Sequence, residues 1–222
     1  MNKAALGFRV HSGWTALVAV SLEEGKPIVL SRQRVHLVKI FSYTFRQPYH
    51  TAARMEREDA RKFVDQVREE AENLAHHSIS KVQDELSGLG YRLDRGALLL
   101  ASGRPLPDLE KILLSHALIH TADGELFRGA VRAATSRCNL RLACVREKDL
   151  LKECAETFSR KSASVLKQVS ELGKGIGAPW TQDEKFATLA AWFSLAEPKT
   201  ARGNKSGRLP AIVGRSKLSP DA

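Results

Sequence analysis

Cysteine, aromatic residues, long apolar runs and acids are all in short supply in this 222-residue chain, and each scarcity excludes something. The three cysteines, Cys138, Cys144 and Cys154, form an odd set without C-x-x-C spacing, which excludes a zinc ribbon and a disulfide framework and leaves reduced, mostly buried thiols. Apolar runs such as 97–101 and 187–196 fall well short of the roughly 18 residues that a membrane span needs, so no transmembrane helix is expected. Arg9 and His11 interrupt the apolar N-terminus, which also lacks a small-residue cleavage pattern; it reads as a folded strand and not a signal peptide, and a cytoplasmic protein is expected. Aromatic residues make up 6% of the chain and are not interleaved with Arg and Lys along an evident strand, which argues against a binder that stacks single-stranded bases. With 25 acids against 35 Lys and Arg, the net charge of +10 favours a polyanionic partner such as nucleic acid or a membrane surface.

What is present suits a globular protein: 43% hydrophobic and 27% charged residues exclude wholesale disorder. From Glu197 onward, six basic residues (Lys199, Arg202, Lys205, Arg208, Arg215, Lys217) face two acids, and no apolar position recurs periodically. Such a segment cannot offset its ordering entropy by burial, so the expected organisation is one α/β domain over 1–196 and a basic, disordered tail over 197–222.

Along the chain, 4–21 is rich in Val, Leu and Ala and is broken by Gly13, which predicts a hairpin; turn residues at 23–27 then lead into a third strand over 28–40. After an irregular 41–49, Phe63, Val67, Ala71, Leu74, Val82, Leu86 and Leu89 recur at three- and four-residue steps, predicting a helix of about eight turns within 52–89 with a break near 76–80. The run 97–101 predicts a strand buried on both faces, and 140–145 another buried strand. Helices are expected from Asp108 to about Ile119, over 123–138, over 149–172, and from Thr181, as N-cap, to about Ala196. A β-meander followed by alternating helices and strands requires crossover connections, hence a mixed sheet covered by helices.

That order resembles the ribonuclease H-like superfamily, within it the Holliday junction resolvase type. In those nucleases the first strand reads approximately Gly-hydrophobic-Asp-x-Gly; the stretch here is Gly7-Phe8-Arg9-Val10-His11, with Arg9 where the metal-binding Asp stands. The resemblance places a second carboxylate at the end of the fourth strand, where this chain has 98–102, and a final pair at the last helix, where Asp183 and Glu184 are the nearest match. Paired Mg²⁺ ions need several converging oxygen ligands, so the resemblance implies the fold without the usual carboxylate site. The stretches 11–14, 46–50 and 115–128 also resemble bacterial proteins of unassigned function.

The sharpest local signal is His116 and His120, four residues apart on one helical face, with Asp123 and Glu125 following. Such imidazoles can share a divalent metal completed by a carboxylate; alternatively they are a half-buried pair near a helix end, with the acids favouring the next helix start. The spacing lacks the Glu of H-E-x-x-H, so no zinc-peptidase base is in place. Ser102 and Arg104, around Gly103, follow a central strand and are candidates for binding an anion, or form an ordinary surface turn. His11 and Ser12 at the first bend, with Arg46 and His50 before the long helix, complete the candidate binding set. The glycines of 173–177 follow a helix without phosphate-loop spacing and read as a connector; Trp180 and Trp192 read as packing residues.

Two functions compete. One is a binding or scaffold protein on a ribonuclease H-like fold, with nucleic acid or another polyanion as partner; the other is an enzyme, metal-dependent or not, whose catalytic candidates are His116, His120 and Glu125. No organic cofactor is assigned. The long helix is a further candidate surface for a protein partner.

Overall fold

A computed structural model describes residues 1–101 and 105–196 of the chain. The expectations for Ser102 and Arg104 and for the 197–222 segment therefore lie outside the described residues. One sheet carries five strands in the order β3-β2-β1-β4-β5, with β1 (Asn2–His11), β2 (Trp14–Glu23), β3 (Lys26–His36), β4 (Tyr91–Leu100) and β5 (Arg141–Arg146). The first three form the expected antiparallel meander, and β4 and β5 add in parallel. Gly13 makes the first turn tight: its φ of +82° suits glycine, and a Cβ there would lie 2.6 Å from Arg46 Cγ.

Alternation along the central strands splits the core into two layers. Leu6, Phe8, Val10 and Leu17 face α3 (Arg57–Gly88) and α5 (His116–Arg137), whereas Ala5, Val18, Val20 and Leu99 face α6 (Leu150–Phe158), α7 (Ser162–Ile176) and α8 (Gln182–Leu195). Each fully buried Leu or Phe contributes about 1.5–3 kcal/mol by leaving water. The long helix α3 runs unbroken for 32 residues, through the expected break, because nothing in 76–80 breaks a helix. Its buried stripe, Ala60, Val64, Val67, Ala71, Ala75, Ile79, Val82 and Leu86, lies against α5 and the sheet, so this apolar face is already covered within the chain. Leu89, assigned to that stripe from its spacing, is exposed just past the helix end.

Other boundaries also differ from expectation. The strand β3 ends at His36; β4 begins at Tyr91, before its apolar run; and β5 is an edge strand in which Val145 alone is fully buried, so Cys144 is exposed. The segment 41–49 holds helical turns, α1 (Tyr43–Arg46) and the start of α2 (Pro48–Ala52). After the short α4 (Leu109–Leu113), the chain breaks at Leu114 and Ser115, not after Ile119, so both His116 and His120 belong to the opening turns of α5. The expected 149–172 helix divides at Ser159, which adopts a left-handed φ of 54°, and α7 then absorbs Gly173 and Gly175. Thr181 caps α8 as predicted, in a reciprocal arrangement with Glu184. No helix among the described residues is long and apolar enough to cross a membrane.

Candidate functional site at the carboxyl end of β1

Strand periodicity puts Gly7 and Arg9 on the same face of β1. Gly7 lies so close to α8 that a Cβ would fall 1.7 Å from the carbonyl oxygen of Ala187, and this approach brings Arg9 to the first turn of that helix. There Arg9 Nη1 donates to Asp183 Oδ1, while Nε and Nη2 donate to the two oxygens of Glu147 at 3.0 and 2.7 Å. The bond from Glu147 leads in raising the guanidinium pKa above its ordinary value; burial opposes it, and Asp183 reinforces it. His11 Nε2 lies 2.7 Å from the same Asp183 oxygen. Glu184, the other half of the expected acidic pair, is spent on the cap, accepting from the Thr181 amide at 2.7 Å. Glu147 went unnoticed in the sequence; its signal is an acid directly after a strand running parallel to β4.

A second group forms on the opposite side of β1. Pro48, the first residue of α2, presets the helical φ, and His50 two residues on packs against His116 and His120 in the opening turns of α5. Asp123 of α5 is 1% exposed; it accepts the Tyr49 amide at 2.7 Å and, at 2.5 Å, a bond from His50 Nδ1, the ring nitrogen that carries the proton when facing a carboxylate. Burial holds the Asp123 carboxyl above the usual range, with the bonds from His50 and Tyr49 working against it. The ring centroids of His50 and His120 are 4.4 Å apart, those of His116 and His120 4.5 Å, and those of His50 and His116 5.5 Å. One nitrogen from each ring lies within 4.8 Å of the others. The acids do not join this set: Asp123 stands behind His50, and Glu125 is bonded to Arg128 at 3.0 Å.

A cleft of about 360 Å³ connects several of the candidates, with His11, Ser12, His120 and Glu125 in its wall together with Ala101 at the end of β4. His50 and His116 adjoin it through His120, and Arg46 braces it by donating to the Ser12 carbonyl at 3.2 Å. The cleft lies beyond the carboxyl ends of two parallel strands, the usual ligand position in open α/β sheets.

Around the first hairpin the structure corrects the view that aromatic and basic residues are not interleaved. Trp14 stacks on His11 at 4.4 Å, and the Arg34 guanidinium lies over Trp14 at 4.0 Å. Phe41 stacks on His36 at 4.6 Å and carries Arg46 at 4.4 Å. These residues come from β1, β2, β3 and the segment beyond them, and their only sequence signal is the cross-strand register that sets Trp14 opposite His36. Trp192, on α8, is buried in the core, and Trp180, partly buried before that helix, packs against it and donates to the Val169 carbonyl of α7 at 3.0 Å, so both are packing residues as expected.

No protein-family model and no curated protein matches the sequence. Among solved structures, Thermus thermophilus RuvC in complex with a Holliday junction substrate aligns with a TM-score of 0.51 at 12% identity, covering 86% of this chain and 91% of that one. A second Thermus thermophilus RuvC structure aligns at 0.49 and 12%, over 86% and 92%. The fold is thus ribonuclease H-like, similar to that of a Holliday junction resolvase, as the element order implied.

Proposed function

We propose that this protein is a cytoplasmic nucleic-acid-binding module that uses a ribonuclease H-like fold without the paired-metal chemistry of the resolvases. The carrying observation is Arg9, whose guanidinium is bonded at once to Glu147 and Asp183. Magnesium requires free carboxylate oxygens, and here both oxygens of Glu147 and one of Asp183 are taken by a permanent cation that would also repel the ion. Among the described residues at the adjacent end of β4, Leu98, Leu99, Leu100 and Ala101 carry no side-chain oxygen. The residues present do not fit a two-metal centre, and no hydrolytic step is assigned to them.

Binding is supported from three sides. The similar protein of known structure was captured with a Holliday junction substrate. The net charge of +10 favours phosphates, and the basic segment 197–222 would serve as an extension of the 1–196 domain that adds to this attraction. Arg34 and Arg46, layered on Trp14 and Phe41, are cations whose orientation is set before any phosphate arrives.

The test is fluorescence anisotropy of the full chain with a four-way junction, a linear duplex and a single strand, at increasing salt and with Mg²⁺ or Mn²⁺ present. Binding that weakens steeply with salt, without cleavage, is expected, and Arg34→Ala should lower affinity on every sequence and reduce the salt slope by about 1. Metal-dependent cleavage, or no binding even at low salt, overturns the proposal.

A further inference from the structure

We infer that His50, His116 and His120 form a three-nitrogen site for a divalent first-row transition metal, zinc being the ion its chemistry suits best. The ligands come from two elements. His116 and His120 lie one turn apart on α5, and His50 reaches them from α2. Their edge-to-face rings, inclined by 69° to 89°, surround a common point instead of stacking in a column. A tetrahedral zinc with Zn–N bonds of about 2.05 Å needs nitrogens about 3.3 Å apart. The three nitrogens already lie within 4.8 Å of one another, and His116 and His120 are exposed, so small changes in their side-chain torsions close the gap.

What separates this cluster from a chance meeting of histidines is the support behind it. His50 Nδ1 is bonded at 2.5 Å to the buried Asp123, which is itself held by the Tyr49 amide. That bond fixes the tautomer and leaves Nε2, with its lone pair, for the ion, the arrangement by which metal-bound histidines are commonly oriented. Three neutral imidazoles fill three of four positions, and the fourth opens beside the cleft lined by His120, His11 and Ser12, as in zinc sites that keep an exchangeable ligand. This site is on the opposite side of β1 from Arg9, and it does not depend on nucleic-acid binding.

The experiment uses the tag-free full chain, stripped with a chelator and titrated with Co²⁺ while visible absorption is followed, then with Zn²⁺ in competition with a chromophoric chelator. One equivalent is expected, with the intense visible bands of low-symmetry, four-coordinate cobalt, displaced by zinc. His116→Ala and His120→Ala, both at exposed positions, should remain folded by circular dichroism and abolish the bands. Asp123→Asn should weaken zinc about 10–100-fold while leaving the bands in place. Absence of stoichiometric binding overturns the assignment. So does undiminished binding by the His116→Ala/His120→Ala variant, which would locate the ion on other donors such as His76, His77 or Cys144.

Discussion

Arg9 on β1 and Asp183 on α8 are joined side chain to side chain although 174 residues separate them in sequence. The same carboxylate oxygen also meets His11, so the end of β1 and the first turn of α8 are tied at two points. Asp183 also sits where the dipole of α8 favours an anion, which makes this helix start a natural counter-charge for a cation on the strand.

Replacing Arg9 tests that tie. Arg9→Met leaves Glu147 and Asp183 without their shared cation in a half-buried setting. A loss of about 1–3 kcal/mol is expected from urea unfolding, less than for a fully buried pair because water reaches both carboxylates. An unchanged unfolding midpoint would show that the bridge contributes nothing.

Gly7→Ala asks whether the close seating of α8 is required. An added methyl collides with the Ala187 carbonyl, which is backbone and cannot rotate away, so α8 must shift. Destabilisation of at least about 1–3 kcal/mol is expected, measured by thermal or urea unfolding. A fully stable variant would contradict the 1.7 Å approach.

Acid sensitivity should depend on Asp94. Burial acts to raise its carboxyl, but the hydrogen bond from Arg95 and the charges of Arg95, Arg141 and Arg92 outweigh it, so its pKa in the folded protein lies below the usual carboxylate value. A depressed folded pKa adds stability above the unfolded value of about 3.9, and this is lost as pH falls through the folded value. Because the carboxylate is partly exposed and its partners Arg92 and Arg141 are largely in solvent, the contribution should stay within about 1 kcal/mol. Asp94→Asn should lower stability near neutrality and narrow the difference between about pH 7 and about pH 3. Equal pH dependence in both proteins would rule this out.

Thiol chemistry should be sharply graded. Burial, with a smaller contribution from Glu153, pushes the Cys154 thiol up to about 12, and Cys138 is also buried, whereas Cys144 is exposed on the edge strand. An aromatic disulfide reagent at mildly alkaline pH should titrate Cys144 quickly and the other two only after denaturation. Rapid reaction of all three in the native protein would contradict the packing of Cys138 at the end of α5 and of Cys154 on α6.

Much of the fold was legible because its signals are local. Alternation of apolar residues with a glycine at 13 marks the first hairpin, Thr181 with Glu184 marks the start of α8, and three- and four-residue recurrence marks α3. Where boundaries were misplaced, tertiary context had overridden local pattern. The edge position of β5 depends on how many strands the sheet has, and the division at Ser159 depends on how α6 and α7 pack on α8. His116 and His120 were legible as a pair by their helical spacing; His50 as their neighbour and Asp123 as its support were not, since 73 residues separate those last two.

From composition, periodicity and turn chemistry alone followed the α/β class, the meander, the basic balance and the placement of Arg9 on the first strand. Those properties depend on neighbours a few residues apart. Only the tertiary structure decided that Arg9 meets Glu147 and Asp183 on one side of β1, and that His50, His116, His120 and Asp123 assemble on the other. Such contacts depend on which face of the sheet each helix covers and on how closely it packs there, and side-chain volumes across both core layers set those distances together.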